Sequence, residues 1–336
     1  MKVDRIITAL DTHSSGMTSR IVLSGFPEIP GETMLEKTRY CRENLDHLRR
    51  AVMLRPRGFK GILGAIITRP TKKEAGFGVV YTHSDGYFNA CGDSTFATVK
   101  ALLESGRIEK REPVTELVLD TAGGLLPVRA TVRGGEVEGI SYEGTPSFFC
   151  GHHALDVPDL GTVEADVAFG GLYYAFVDAR EVGVETEASN AAELIRAGLK
   201  IMDAANKQVE IRHPDNPDLN KIQLVTFSDE PKDPSHDCRH ANVQDVGFLC
   251  ISPAGTSVSA KLAMFVEKGE MAVGDGIVVE SPVDPGIVMT GRAVRETRVG
   301  GYRAIVPELS ARAYVTGIQQ FVLEDGDPIK HGFEMA

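Results

Sequence analysis

Short apolar runs bounded by glycine recur along the chain and predict many strands of about five residues each. Typical runs stand at residues 20–23, 78–81, 116–119 and 276–279. Apolar positions with helical spacing are confined to four windows, at residues 35–53, 95–105, 191–205 and 257–268. Because strand patterns outnumber helix patterns, the sequence predicts an α+β protein.

One helix-opening segment occurs twice in the chain. Residues 91–106 placed over residues 254–269 without a gap match at Gly92/Gly255, Ser94/Ser257, Ala97/Ala260, Glu104/Glu267 and Gly106/Gly269. In each copy a strand-like run leads through a turn into an amphipathic helix, and the closing glycine is placed for a left-handed cap. Chance similarity between two glycine-rich helix starts is the alternative explanation.

The repeat predicts two pseudo-equivalent halves. The first half comprises residues 1–145 and 312–336, and the second comprises residues 146–311. The segment 142–161 is rich in turn-forming residues, and we expect it to carry the crossover between the halves.

The two helix starts predict a binding site for a small acid. We expect the helices to point their N-termini at one shared cleft, where backbone N–H groups made accessible by Gly92 and Gly255 attract a carboxylate. Cys91 stands at the first helix start, where the helix dipole favours the thiolate of a base or nucleophile. The alternative is a buried thiol that packs as a small apolar group. Ala254 holds the equivalent position of the second helix.

Composition and charge exclude several classes of partner. The net charge is −11, and the few lysine and arginine clusters are too short to follow a phosphate backbone, so no nucleic acid is expected. No apolar run reaches the length of a membrane span, and the N-terminus lacks the pattern of a secretory signal, so we expect a soluble, cytoplasmic protein. Five scattered cysteines favour free thiols over a disulfide framework.

Several motifs along nearly the whole chain resemble those of the proline racemase family, which includes proline racemase, hydroxyproline 2-epimerase and trans-3-hydroxy-L-proline dehydratase. They lie at residues 11–20, 53–65, 90–97, 166–178, 252–263, 280–291, 304–317 and 327–333. The resemblance implies a diaminopimelate-epimerase-like fold of two α/β halves, each a curved sheet around a central helix. It implies a small imino acid or amino acid as substrate, and neither cofactor nor metal. The oligomeric state stays open, a homodimer included.

The chain departs from the family pattern at positions that carry chemistry. Cys91 matches the first family cysteine, but the histidine that follows in the racemases is Asp93 here. At the second helix start the family cysteine is replaced by Ala254, and the aspartate four residues earlier is replaced by Cys250. Phe59 stands where the family has histidine. The polar groups that would recognise a substrate ring are therefore changed.

These departures favour elimination over racemisation. Racemisation needs a proton acceptor and a proton donor on opposite faces of Cα, and Ala254 can be neither. One thiolate suffices if the carbanion expels a β-hydroxyl group, so the best prediction is a lyase that resembles trans-3-hydroxy-L-proline dehydratase. That branch has threonine at the second cysteine position, so alanine departs from it too. The alternatives are a racemase or epimerase whose second donor is Thr256, Ser257, Cys250 or water, and a binding protein without catalysis.

The predicted site has Cys91 as its catalytic residue. The predicted substrate-binding residues are Gly92, Asp93, Ser94, Phe59, Cys250, Ala254, Gly255, Thr256 and Ser257. Asp93 is either a helix cap or the partner of the substrate's ammonium group. Cys250 is either a relocated thiol or, since it falls in a strand-like run, a packing residue.

Other clusters carry weaker signals. His236, Cys238 and His240 recur with period two, and Cys150, His152 and His153 form a second group, both of them ligand types for zinc. Residues 229–242 have the composition of a loop, so a solvated turn is favoured over a metal site. His13 is interpreted as a hydrogen-bonded structural residue rather than a base. Phosphate-binding glycine motifs are absent from the sequence, so no nucleotide cofactor is indicated.

Overall fold

The computed structural model describes residues 2–334, which divide into two compact units. The first unit runs through Tyr142 and resumes at Arg312, and the second unit comprises Glu143–Ala311. The sequence placed the first boundary three residues later, between residues 145 and 146. All five cysteines are free thiols.

In the first unit, strands lie around one central helix. The strands are β1 (Val3–Ser14), β2 (Met17–Ser24), β3 (Leu63–Thr68), β4 (Phe77–His83), β5 (Gly86–Phe88), β6 (Val114–Thr121), β7 (Gly124–Arg133), β8 (Glu136–Glu143) and, after the second unit, β18 (Ala313–Glu324). The helices are α1 (Met34–Asn44), α2 (Asp46–Met53) and α3 (Gly92–Glu104). Neighbours pair in the order β18-β1-β2-β3-β4-β6-β7-β8, with β2/β3 and β4/β6 parallel.

The second unit repeats this arrangement. Its strands are β9 (Ser147–Val157), β10 (Gly161–Phe169), β11 (Tyr173–Asp178), β12 (Ile222–Asp229), β13 (Cys238–Gln244), β14 (Phe248–Cys250), β15 (Gly276–Glu280), β16 (Val288–Val299) and β17 (Tyr302–Ala311). Its helices are α4 (Ala179–Val182), α5 (Ala191–Gln208) and α6 (Gly255–Lys268), with a 3-10 turn at Ala188–Asn190. The pairing order is β9-β10-β11-β12-β13-β15-β16-β17, and β17 pairs back with β9 to close a barrel.

The two units therefore share one strand order, with parallel pairs at the same two places. In each unit a short hairpin strand, β5 or β14, comes directly before the central helix. Both helices are lined with buried apolar side chains, such as Phe96 and Leu102 in α3 and Val258 and Leu262 in α6. Both are followed by a glycine in the left-handed region, Gly106 with φ +69° and Gly269 with φ +74°.

Three local expectations need correction. The window 35–53 forms two helices, because the backbone of buried Leu45 leaves helical geometry between α1 and α2. Most of the segment 142–161 is strand, since β9 places Phe148, Leu155 and Val157 in the barrel core. The loop predicted at residues 229–242 ends at Cys238, where β13 begins and pairs in parallel with β15.

No helix formed within residues 2–334 is both long enough and apolar enough to cross a lipid bilayer.

Candidate active site

Cys91 is the N-cap residue of α3 and directly precedes Gly92. Its backbone is extended, with φ −154° and ψ 115°, and its carbonyl oxygen accepts the first helical hydrogen bond from the N–H of Thr95 at 3.0 Å. The Thr95 hydroxyl donates to the same carbonyl at 2.8 Å, and the Tyr81 hydroxyl in turn donates to Thr95 Oγ1 at 2.6 Å. Two donors therefore hold the backbone of Cys91, and its side chain is partly exposed.

Opposing effects set the ionisation of the Cys91 thiol. Burial raises its pKa to about 11, and the neighbouring carboxylate of Asp93 acts in the same direction. The Ser94 hydroxyl and the backbone N–H groups of Ser94 and Asp93 act in the opposite direction and lower the pKa. The buried Ser94 Oγ has no hydrogen-bond partner within residues 2–334. The helix start thus favours the thiolate as expected, but burial and Asp93 outweigh it.

Tyr142 is a component of this region that the sequence analysis missed. A Cβ atom added to Gly92 would lie 2.5 Å from the Tyr142 hydroxyl oxygen, so glycine leaves room for the phenol beside the helix start. Burial raises the pKa of Tyr142, and the charges of Asp93 and Cys91 raise it further. Asp93 itself is buried. Tyr142 lies on β8, fifty-one residues from Cys91 in sequence, and no local spacing relates the two.

Ala254 is the N-cap residue of α6 and has an unusual conformation. Its φ is +60° and its ψ is 116°, which places a non-glycine residue in a region that L-amino acids rarely adopt. Its N–H donates to Ser252 Oγ at 3.1 Å, and its carbonyl accepts from the N–H of Val258 at 2.9 Å. A methyl side chain exchanges no proton. Cys250 is buried on β14, as its strand-like surroundings predicted.

Thr256, in the first turn of α6, forms a hydroxyl pair with Tyr174. The two hydroxyl oxygens lie 2.6 Å apart, and Tyr174 is buried on β11 whereas Thr256 is partly exposed. The backbone of Gly170 packs against this turn so closely that an added Cβ would lie 2.0 Å from the Thr256 carbonyl oxygen. Tyr174 was not predicted from the sequence.

Ser257 faces a buried polar network on the barrel wall. Its Oγ lies 3.1 Å from His240 Nδ1 and 3.1 Å from Thr226 Oγ1, and all three side chains are fully buried. The Thr226 hydroxyl donates to Asn242 Oδ1 at 2.6 Å. The Asn242 amide donates to the carbonyls of Ser252 and Pro253 at 3.2 and 3.0 Å. The network therefore ends on the two residues that precede Ala254.

Phe59 and the metal-site candidates stand apart from these contacts. Phe59 follows α2 in a loop and is 46% exposed. Cys238 Sγ and His240 Nε2 lie 3.6 Å apart, but His236 pairs instead with Glu280 at 2.9 Å. His152 contacts Asp166 and Glu164, and His13 Nδ1, contrary to expectation, is buried without a hydrogen-bond partner in the part of the chain described.

No cluster of three or more histidine, cysteine or acidic residues within residues 2–334 is arranged to hold a metal ion.

Comparisons with known proteins agree along the whole chain. The family model described as proline racemase matches residues 9–334. A proline racemase from Clostridioides difficile is 38% identical over 334 residues, 99% of each chain. A trans-3-hydroxy-L-proline dehydratase from Bacillus thuringiensis subsp. konkukian is 36% identical over 336 residues, also 99% of each.

A solved structure is similar throughout. The hydroxyproline epimerase from Agrobacterium vitis, with bound trans-4-hydroxy-L-proline, matches with a TM-score of 0.83 and 30% identity, and the match covers 100% of this chain and 96% of that one. This likeness confirms the fold class predicted from the sequence.

Proposed function

The chain belongs to the proline racemase family, and we propose that it removes the Cα proton of a hydroxyproline-like amino acid with the single thiol of Cys91 and then eliminates water. The relatives named above are isomerases and lyases, so the proposal concerns the reaction and the substrate rather than the enzyme class. Trans-3-hydroxy-L-proline is the substrate proposed, because its β-hydroxyl is a leaving group.

The placement of Cys91 carries this proposal. Its thiol stands at the start of α3, where the backbone N–H groups of Asp93 and Ser94 lower its pKa. Such donors stabilise the thiolate that a proton-abstracting cysteine must form. At the start of α6, Ala254 has no group that accepts or donates a proton. Cys91 can therefore supply the one thiol base that an elimination needs.

The elimination follows from that single base. The Cys91 thiolate takes the Cα proton, and the electron pair left on Cα is stabilised by delocalisation into the carboxylate. The electron pair then forms the Cα–Cβ double bond as the Cβ–O bond breaks, and the departing hydroxyl group takes up a proton from solvent and leaves as water. No second proton is returned to Cα by the enzyme.

Turnover of trans-3-hydroxy-L-proline in deuterium oxide tests this function. We expect pyrroline-2-carboxylate, detected by mass spectrometry, and a loss of rate on the order of 10²- to 10⁴-fold in Cys91→Ser, the range for a general base. Cys150→Ser is the matched control, because Cys150 is also a partly exposed thiol but lies on β9. Full activity in Cys91→Ser would contradict the assignment.

Epimerisation is the second candidate, and the similarity to a solved hydroxyproline epimerase favours it. In the same experiment an epimerase would place deuterium at Cα of proline or 4-hydroxyproline with inversion and release no pyrroline product. A protein that only binds small acids would be stabilised by the ligand without exchanging any Cα proton. The three outcomes are distinct in one mass spectrum combined with a melting curve.

A further inference from the structure

The stereochemistry of the proposed substrate fixes the side from which its leaving group can be protonated. In trans-3-hydroxy-L-proline the hydroxyl group and the carboxylate lie on opposite faces of the ring, so the hydroxyl group shares a face with the Cα proton. In the function proposed above, the Cys91 thiolate removes that proton. An acid for the departing hydroxyl group must therefore approach from the side of Cys91, to within about 2.6–3.2 Å of the leaving oxygen.

Four side chains of the first unit bring hydroxyl groups to the start of α3, and their exposure separates them. Ser94 is fully buried. Tyr81 and Thr95 are buried too, and their hydroxyl groups are engaged in the hydrogen bonds that hold the Cys91 carbonyl oxygen. Tyr142 is partly exposed. Of these four, only Tyr142 combines an acidic hydroxyl group with access from outside the core.

Two contacts hold Tyr142 against the first turn of α3. A Cβ atom added to Gly92 would lie 2.5 Å from the phenolic oxygen and 3.7 Å from the ring carbon that bears it. The Tyr142 ring packs against buried Phe96, one turn further along the helix, with ring centroids 5.2 Å apart. Because Gly92 directly follows Cys91, these contacts place the phenolic hydroxyl group beside the residue next to the thiol.

The charge near the phenol changes as the reaction proceeds. Burial raises the pKa of Tyr142, and the negative charges of Asp93 and Cys91 raise it further, so the phenol keeps its proton while Cys91 is a thiolate. Once the thiolate has taken the Cα proton, Cys91 is neutral and one of these charges is gone. The phenol therefore becomes a stronger acid at the step in which the hydroxyl group departs.

From this geometry we propose that Tyr142 is the acid that protonates the departing hydroxyl group. The inference rests on the elimination proposed above and names the route by which the solvent proton arrives. As the Cβ–O bond breaks, the phenolic O–H bond also breaks and its proton joins the leaving oxygen, so water departs and a phenolate remains. Solvent then reprotonates Tyr142, which is partly exposed, and Cys91 releases the Cα proton to solvent.

Two substrates with different leaving groups test this role in Tyr142→Phe, which removes only the phenolic oxygen. With trans-3-hydroxy-L-proline we expect formation of pyrroline-2-carboxylate to fall on the order of 10²-fold, since a general acid contributes at least that much. Loss of deuterium from the Cα-deuterated substrate, which reports the thiol step, should continue. With trans-3-fluoro-L-proline, fluoride departs as an anion and needs no proton, so the variant should eliminate at the wild-type rate.

Tyr87→Phe is the matched control, because Tyr87 is a partly exposed tyrosine of the same unit whose hydroxyl group donates to the Cys41 carbonyl oxygen at 3.2 Å. It should react with both substrates at the wild-type rate, and urea unfolding of each variant verifies the fold. If Tyr142→Phe keeps the wild-type rate with the hydroxylated substrate, or if both substrates slow by the same factor, Tyr142 is not the acid. A wild type that forms no pyrroline-2-carboxylate, or full activity in Cys91→Ser, instead overturns the proposed function.

Discussion

The hydroxyl oxygen of Ser257 lies 3.1 Å from Nδ1 of His240, and both side chains are completely buried. The contact joins the first turn of α6 to β13. On its other side, His240 Nε2 lies 3.6 Å from Cys238 Sγ. Burial, reinforced by the positive charge of Lys261, lowers the pKa of His240 well below its usual value, so the ring is neutral. This contact therefore depends on an uncharged imidazole.

His240 should make the protein less stable at acidic pH. Folding lowers the pKa of His240, so below pH 6.5 this side chain is protonated in the unfolded chain but stays neutral in the folded chain. The free energy of unfolding should fall as pH drops below 6.5, by up to about 1.4 kcal/mol per pH unit from this one group. In His240→Gln, which keeps a donor and an acceptor but does not titrate, that part of the slope should vanish. Urea titrations between about pH 5 and pH 7.5 measure it.

His152 is the control with the opposite sign. Its hydrogen bond to Asp166 raises its pKa, so it stabilises the folded state below pH 6.5, and that contribution is lost as pH rises above 6.5. His152→Gln should therefore lower stability mainly at acidic pH. If the free energy of unfolding changes with pH by the same slope in the wild type and in His240→Gln, folding does not lower the pKa of His240.

Asp93→Asn should make Cys91 more reactive without any substrate. The Asp93 carboxylate raises the pKa of the Cys91 thiol, which is about 11, so removal of the charge lowers that pKa. More thiolate is then present at any pH below the wild-type pKa. We expect iodoacetamide to alkylate Cys91 at least about fivefold faster near pH 8, the ratio for an electrostatic effect of about 1 kcal/mol. Peptide mass spectrometry distinguishes Cys91 from the other cysteines.

Glu104→Gln serves as the control for a lost negative charge, since Glu104 lies at the far end of α3 and pairs with Lys100 and Lys110. It should leave the alkylation rate of Cys91 unchanged. An equal or slower rate in Asp93→Asn would mean that the carboxylate does not act on the thiol.

Local patterns predicted the elements that local interactions determine. The repeated segment at residues 91–106 and 254–269 correctly predicted where α3 and α6 start. It also predicted that Gly269 caps α6 in the left-handed conformation. Periodicity failed where packing decides the conformation, as at Leu45, where the predicted single helix is interrupted. It failed again at β9, where the composition predicted turns but Leu155 and Val157 alternate with exposed residues and pack in the barrel core.

Residues brought together by strand order could not be predicted from spacing. Tyr174 reaches Thr256 across 82 positions, and His240 reaches Ser257 from the barrel wall. Cys238 and His240 follow a period-two pattern that is typical of a strand, but the proline and aspartate residues that precede them predict a loop. The pairing of β13 with β12 and β15 overrides that local composition.

Ala254→Cys should add inversion at Cα to the activity. Cysteine shares the Cβ of alanine, so the substitution adds a thiol at the family's second cysteine position without new strain at φ +60°. A second thiol supplies the donor that racemisation needs. We expect L-proline in deuterium oxide to yield deuterated D-proline, measured by chiral chromatography and mass spectrometry. Ala254→Ser, with a far weaker acid at the same place, should form at least about tenfold less.

Cys250→Ala in the Ala254→Cys background shows whether the new thiol acts alone. Cys250 is buried on β14, so its removal should leave D-proline formation unchanged. If Ala254→Cys is folded and yields no deuterated D-proline, position 254 is not the second proton-transfer position in this chain.

Gly170→Ala should disrupt the start of α6 more than an ordinary glycine substitution does. The added Cβ would meet the Thr256 carbonyl oxygen at 2.0 Å and the Ala260 nitrogen at 2.7 Å, and both are backbone atoms that cannot rotate away. Either the loop or the helix must shift, which separates Thr256 from Tyr174. We expect a loss of about 3 kcal/mol or more in the free energy of unfolding, as in other overpacked sites. Gly301→Ala, where nothing lies within 4 Å, should change it by less than about 1 kcal/mol. Equal stability of the two variants in urea would show that the backbone of Gly170 does not constrain Thr256.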